Sequence, residues 1–547
     1  MKFKNKKLGL VLLIIVLFIS RVNAQNMDWQ EDLKKTYELV MSKSGHIFQN
    51  YDQRKWVEDY SMLLEDSKKM SKNEVRVALM ELIAKLKDGH SGIWIQDMVF
   101  PDRDTKWFPI RMYYFEEGLY IVAADAKYSD YIGGKVEKIG NFSEREASEK
   151  LFEISNGENK YGDMFKAPMF MIYPPILNAL GIIEDEEKLV LKVRLSDGSL
   201  KEIRVASEIY NKGIGAFFDN FQSPSLNSIR LDEKLNINWQ STKWDLDPPY
   251  VVNYMEDKAT LYVKLNVLRD PPNFSIMDTY TELWDIVEKK KVDKLILDLR
   301  NNGGGNLGNG WPFIFKINEL SELNDKKKLI VLTGRKTFSA ATAFMSMLET
   351  HTNATFIGEP SGGRPNQTEG ISGARGVTKL EKIDVDVVLS RGKWSHTYPF
   401  DPREFIVPDI MIPESISDWM KGIDSAYNKA INLKLPFEYL KEGSYEKALE
   451  AYKKEKENNI NSALVKESTL NSIGYQELGK KNAKIALSVF KIYTILYPES
   501  ANAFDSLGEF YMVSGDNKNA LINYEKSLKL DPKSENAKAM INKLLKN

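Results

Sequence analysis

Cysteine is absent from all 547 residues, so the chain can form no disulfide, no thiolate metal site and no cysteine nucleophile. Histidine is scarce: His46, His90, His351 and His396 are all there are. None falls in an HExxH or comparable ligand spacing, which argues against zinc and leaves four candidates for an imidazole base. Charge of one sign is lacking too. The 76 basic and 77 acidic residues give a net charge of -1, which supplies no field to hold a nucleic-acid backbone. The uncharged apolar run nearest the start, residues 8–19, is about 12 residues long, short of the ~20 needed to span a bilayer. It lies between Lys2, Lys4, Lys6 and Lys7 on one side and Val22-Asn23-Ala24 on the other. A basic start, an apolar middle and a small-x-small end make a secretory signal peptide. Residues 1–24 are therefore expected to be removed on export to the periplasm, the cell surface or the extracellular space. No stable membrane span is expected after cleavage, and no lipid anchor, since no cysteine follows the site.

What is present suffices for several packed cores: 43% apolar residues, with 25 Phe and 10 Trp. Residues 25–100 read as helical, with apolar positions at helical spacing over 73–87 and a turn at Asp88-Gly89-His90-Ser91-Gly92. Residues 101–210 read as β-rich, with strand-like runs at 119–122 and 189–193 and a turn at Ser196-Asp197-Gly198. Gly133-Gly134 leading into 135–140, followed by a helical stretch, resembles the core of a PDZ-like module. Residues 211–257 are read as a linker. Residues 258–425 alternate strands (259–265, 294–299, 328–333, 353–357) with helices (277–290, 340–349), the pattern of an α/β layered domain. Residues 435–545 carry an internal repeat: Gly474 and Gly508, Ala486 and Ala520, Phe490 and Tyr524, and Pro498 and Pro532 are each 34 apart. That period is the tetratricopeptide signature, and stacked helix pairs of this kind offer a groove for a protein partner.

Three segments carry the chemistry. The run Asp298-Leu299-Arg300-Asn301-Asn302-Gly303-Gly304-Gly305 follows a buried strand, and its glycines let backbone amides approach a reacting oxygen. It lacks the Gly-Lys-Ser/Thr of a phosphate loop. Ser339, in Thr337-Phe338-Ser339-Ala340-Ala341, opens an amphipathic helix. A serine there most often caps the helix, but the same place suits a nucleophile, because the helix start favours an oxyanion and the Ala340 amide can donate to it. His90, held between two glycines, gains interest because a serine nucleophile needs a base.

Together with Ile357-Gly358-Glu359-Pro360-Ser361-Gly362-Gly363, these segments resemble the ordered core motifs of the S41 (tail-specific) serine peptidases over roughly residues 70–415. The resemblance implies a crotonase-like α/β core and peptide hydrolysis through an acyl-enzyme, with no cofactor and no metal. One branch of that family uses a lysine base, and its position is occupied here by Arg364. Arginine stays protonated and cannot serve as a base. The tricorn-like branch uses a histidine from the N-terminal part of the core, the role that His90 matches, although Gly89 stands where that branch has a serine. The assignment is therefore Ser339 as nucleophile and His90 as base. Glu404 and Asp401 are candidate orienting acids before Pro408-Asp409, with Asp88 as a third, and the amides of Gly304 and Ala340 form the oxyanion site. Two rivals share these residues: a catalytically degenerate peptide-binding scaffold, and a hydrolase of non-peptide esters or amides.

Overall fold

The computed structural model describes residues 29–99, 104–215, 221–237, 239, 246–368, 377–395, 401–458, 462 and 464–546. The expected signal peptide and His396 lie outside them. Among the described residues no helix is long and apolar enough to cross a membrane.

A six-stranded sheet organises the second half of the chain. Tyr250–Met255 pairs antiparallel with Thr260–Leu265, and then Lys294–Asp298, Leu329–Thr333, Thr355–Gly358 and Ile410–Met411 add in parallel, in that order. The helices Ile276–Lys289, Trp311–Glu319 and Ala340–His351 make the crossovers. Residues 329–333 and 355–358 are buried throughout, as the continuous apolar sequence of parallel strands requires. In such sheets the loops at the carboxyl ends of the strands carry the site. Here those loops are 299–306, after Asp298, and 334–339, after Thr333.

Charge inside this layer locks the first loop. Arg300 is buried and pairs with Asp298 at 2.6 Å and with Asp424 at 2.7 Å, while the Tyr262 hydroxyl donates to Asp298 at 2.7 Å. The charged residues of the Asp298-Leu299-Arg300 motif therefore tie the loop root to the helix Ser425–Ile431, which Asp424 caps.

The β-rich part is an antiparallel seven-stranded sheet that includes Ile110–Phe115, Gly118–Asp125, Lys135–Ile139, Lys188–Arg194 and Leu200–Ala206. It shares one hydrophobic core with the N-terminal helices, running from Leu33 and Trp56 through Leu82 to Ile121 and Leu191. A three-stranded sheet joins distant parts of the chain: Gly92–Ile95, directly after the His90 turn, pairs with Val385–Val388, which pairs with Val377–Leu380. Arg76 reinforces this union by donating to the Ile383 and Asp384 carbonyls. The turn that carries His90 is thus fixed by sequence that lies beyond Ser339.

At the C-terminus, helix pairs follow the 34-residue period: Glu467–Gly479 with Ala483–Leu496, and Ala501–Val513 with Asn517–Leu530. The repeated glycines have a steric reason. A Cβ on Gly474 would lie 2.5 Å from the Phe490 ring, and one on Gly508 would lie 3.1 Å from the Tyr524 ring.

Candidate active site

Ser339 sits immediately before the helix Ala340–His351 with φ 55° and ψ −131°, and its side chain makes no cap hydrogen bond. A positive φ costs a non-glycine residue about 1–3 kcal/mol, so the surroundings must impose it. Thr337, fully buried, donates to the Leu299 carbonyl at 2.9 Å, and the Phe338 amide donates to the Asn302 carbonyl at 3.1 Å. The serine loop is thereby laced to the glycine loop. Gly304 has φ 114°, and a Cβ on it would stand 2.6 Å from the Ser339 Cβ. Gly304→Ala is expected to displace Ser339 and lower its labelling by a serine-directed probe at least tenfold, with some loss of stability from the alanine held at positive φ. Unchanged labelling would mean that the two loops are not mechanically coupled.

His90 meets Ser339 from the other half of the chain. Its Nε2 lies 2.8 Å from the Ser339 Oγ, and its ring packs on Phe338 with centroids 4.7 Å apart. Gly89 permits this approach, since a Cβ there would lie 2.7 Å from the Phe338 ring. Asp88 shapes the turn: one carboxylate oxygen accepts the His90 amide at 3.1 Å, and the other accepts the Ser91 and Ser390 hydroxyls at 2.6 Å each. Burial pushes the imidazole down to about 4, against the pull of Asp88, so His90 is neutral near pH 7 and able to accept a proton.

A second carboxylate stands behind the ring. Glu158, with a side chain 2% exposed, places Oε1 3.9 Å from the His90 Nδ1. The same oxygen accepts the Gly89 amide at 3.3 Å, and Oε2 accepts the Arg364 amide at 2.7 Å. Burial is the main cause that pushes this carboxyl up to about 7, with the Asp88 charge adding to it. Lys166 donates to the Asn156 carbonyl at 3.0 Å and to its side-chain oxygen at 3.2 Å, and burial holds its amine below the ordinary lysine range.

The expected acids are placed elsewhere. Glu404 is largely exposed and pairs with the Arg364 guanidinium at 3.2 Å. Asp401 accepts from Arg403, which also holds Glu349. Among the described residues, the carboxylates grouped within 4.8 Å of a His90 ring nitrogen are Asp88 and Glu158. Arg364, at the position of the lysine base, offers its backbone to Glu158 and its side chain to Glu404. Of the two expected oxyanion donors, Gly304 directs its amide to the Asn302 side-chain oxygen at 2.9 Å. Ala340 is the first helical residue, so its amide lies in the turn that has no intrahelical acceptor. His46 contacts the Ser390 carbonyl at 3.1 Å, and His351 packs on Trp311.

Asp88, His90 and Glu158 could offer three ligand atoms to a cation. Their oxygens are, however, engaged by three backbone amides and two serine hydroxyls, and the His90 Nε2 by Ser339. Sequence reading missed Glu158 because its neighbours, Ser155-Asn156-Gly157-Glu158-Asn159, spell an ordinary polar turn.

No family model matches the chain, and no curated protein does. Among solved structures, a serine-to-alanine mutant of CPAF matches 75% of this chain and 97% of its own, at 12% identity and a TM-score of 0.52. The photosystem II D1 C-terminal processing protease matches 72% of this chain and 98% of its own, at 12% identity and a TM-score of 0.32. MamA matches 22% of this chain and 74% of its own, at 22% identity and a TM-score of 0.15. The first establishes a shared fold and nothing finer; the other two are too remote to carry inference.

Proposed function

We propose that this chain is an exported serine-type peptidase of the S41 kind, with Ser339 as nucleophile and His90 as its base. The observation that carries the reading is the 2.8 Å contact between the Ser339 Oγ and the His90 Nε2, made by residues 249 positions apart on a strained helix start and a pinned turn. Ser339 attacks the carbonyl carbon of a peptide bond while His90 takes its proton. The Ala340 amide, at the positive end of its helix, faces the developing oxyanion. His90 then gives the proton to the departing amine, and water attacks the acyl-enzyme by the same route in reverse. The chemistry needs no metal and no cofactor. Residues 258–425 are proposed as a crotonase-like core and 101–210 as a PDZ-like module. The repeats are proposed as a surface for a protein partner, and the mature chain is proposed to be periplasmic, extracellular or at the cell surface.

One observation favours a second reading, a scaffold that keeps the cleft without turnover: the 3.9 Å from His90 Nδ1 to Glu158 Oε1 exceeds a hydrogen bond. A fluorophosphonate probe separates the two. The peptidase reading expects the wild-type chain to be labelled and Ser339→Ala to be blank. Equal labelling of both would remove Ser339 as nucleophile, and no labelling of either would favour the scaffold.

A further inference from the structure

Two carboxylates flank the His90 ring, and their hydrogen bonds divide their work. The oxygens of Asp88 are committed to the turn, one to the His90 amide and the other to two serine hydroxyls. Glu158 is held by two backbone amides, from Gly89 on one strand of sequence and Arg364 on another. These bonds leave the Glu158 Oε1 facing the His90 Nδ1, on the side of the ring opposite to Ser339. A ring whose Nε2 must accept a proton from Ser339 has to carry its hydrogen on Nδ1, and that tautomer needs an acceptor behind it.

We propose that Glu158 is the positioning residue of this site: as a carboxylate it holds the His90 tautomer and balances the imidazolium formed when Ser339 gives up its proton. The inference rests on the Ser339–His90 reading. Glu158 does not touch the reacting atoms and acts only through His90. A shift of about 1 Å would bring Oε1 into hydrogen-bond range of Nδ1, and such contacts commonly tighten when substrate binds. The Arg364 position gains a use in this arrangement. Its backbone amide aims the Glu158 Oε2, while its guanidinium is turned away to Glu404.

The charged groups that face Glu158 are His90 and Asp88 from the turn, Lys166 from the helix Lys160–Phe170, and Arg364 from the loop after Thr355–Gly358. Lys166 and Arg364 favour the ionised carboxyl, whereas burial and Asp88 oppose it, and the balance sets its proton loss at about 7. His90, at about 4, is already neutral there. Activity should therefore rise with pH through a limb that belongs to Glu158.

The test follows the rate of Ser339-dependent fluorophosphonate labelling of the full chain from about pH 5 to about pH 9. Wild type should show a rise with its midpoint near 7, and Glu404→Gln should keep it. Glu158→Gln should lose that midpoint and react about 10²–10⁴-fold more slowly. A Glu158→Gln protein that keeps both the midpoint and the rate, or a Glu404→Gln protein that loses the midpoint, overturns the proposal. A second measurement needs no variant: the ring resonances of His90 in the wild type should respond with a midpoint near 7 without ring protonation, and a His90 that senses nothing there overturns it equally. Labelling that survives Ser339→Ala is a different outcome, which sinks the nucleophile assignment itself.

Discussion

Ser339→Ala and His90→Ala are each expected to lower peptide turnover by about 10⁴–10⁶-fold, and the double variant is expected to lose no more than the worse single one. The magnitude follows from the proposed pairing of Ser339 and His90 as nucleophile and base, whose members act as a unit. Non-additivity is the informative part. Two independent defects of this size would multiply, whereas two halves of one proton transfer do not. Among the described histidines, His46 and His351 have their own contacts elsewhere, and position 364 holds a permanently charged arginine. Turnover by purified single and double variants, measured with one peptide substrate, decides the matter. A multiplicative double variant, or a His90→Ala protein of near wild-type rate, would dismantle the pair.

Arg300→Met is expected to be the most destabilising single change in the core layer. It takes the guanidinium from between the buried Asp298 and Asp424, and breaking a buried pair from one side costs about 3–5 kcal/mol. Burial raises and the guanidinium lowers the carboxyl of Asp298, and the arginine prevails, holding it below the ordinary aspartate range. The stabilising contribution of Asp298 is therefore present above the ordinary aspartate pKa and fades as pH falls through the depressed one. Removing Arg300 removes the larger part of that contribution at neutral pH, with Lys264 and the Tyr262 hydroxyl left to favour the carboxylate. Differential scanning calorimetry should show the transition of the six-stranded sheet layer falling by several degrees, with that of the repeats unmoved. The glycine loop begins at the residue after this cluster, so labelling of Ser339 should fall along with stability. A transition that stays in place would mean that the Asp298-Leu299-Arg300 motif is not a structural lock.

Several features were legible in the chain order alone, and each has a local cause. The 34-residue period of the repeats survives as helix pairs because each repeat packs only on its neighbours, with a missing Cβ at Gly474 and Gly508 admitting the facing ring. The strands 294–298, 329–333 and 355–358 announced themselves as apolar runs because both faces of a parallel sheet are covered. Ser339 stood out only through the ordered motifs on either side of it, the runs 298–305 and 357–363, because a serine that opens a helix is by itself most often a cap.

What the sequence by itself determined was the set of segments with a local signature: the glycine loop, the serine turn, the histidine turn and the repeat period. What only the tertiary structure decided was how they meet. It placed the His90 Nε2 on Ser339 through a sheet that pairs 92–95 with 385–388. It set Glu158 rather than Glu404 or Asp401 behind the imidazole. The physical reason is the same in each case. A carboxylate gains its distinctive character from burial and from partners supplied by remote strands, and neither leaves a mark on its neighbours in the chain.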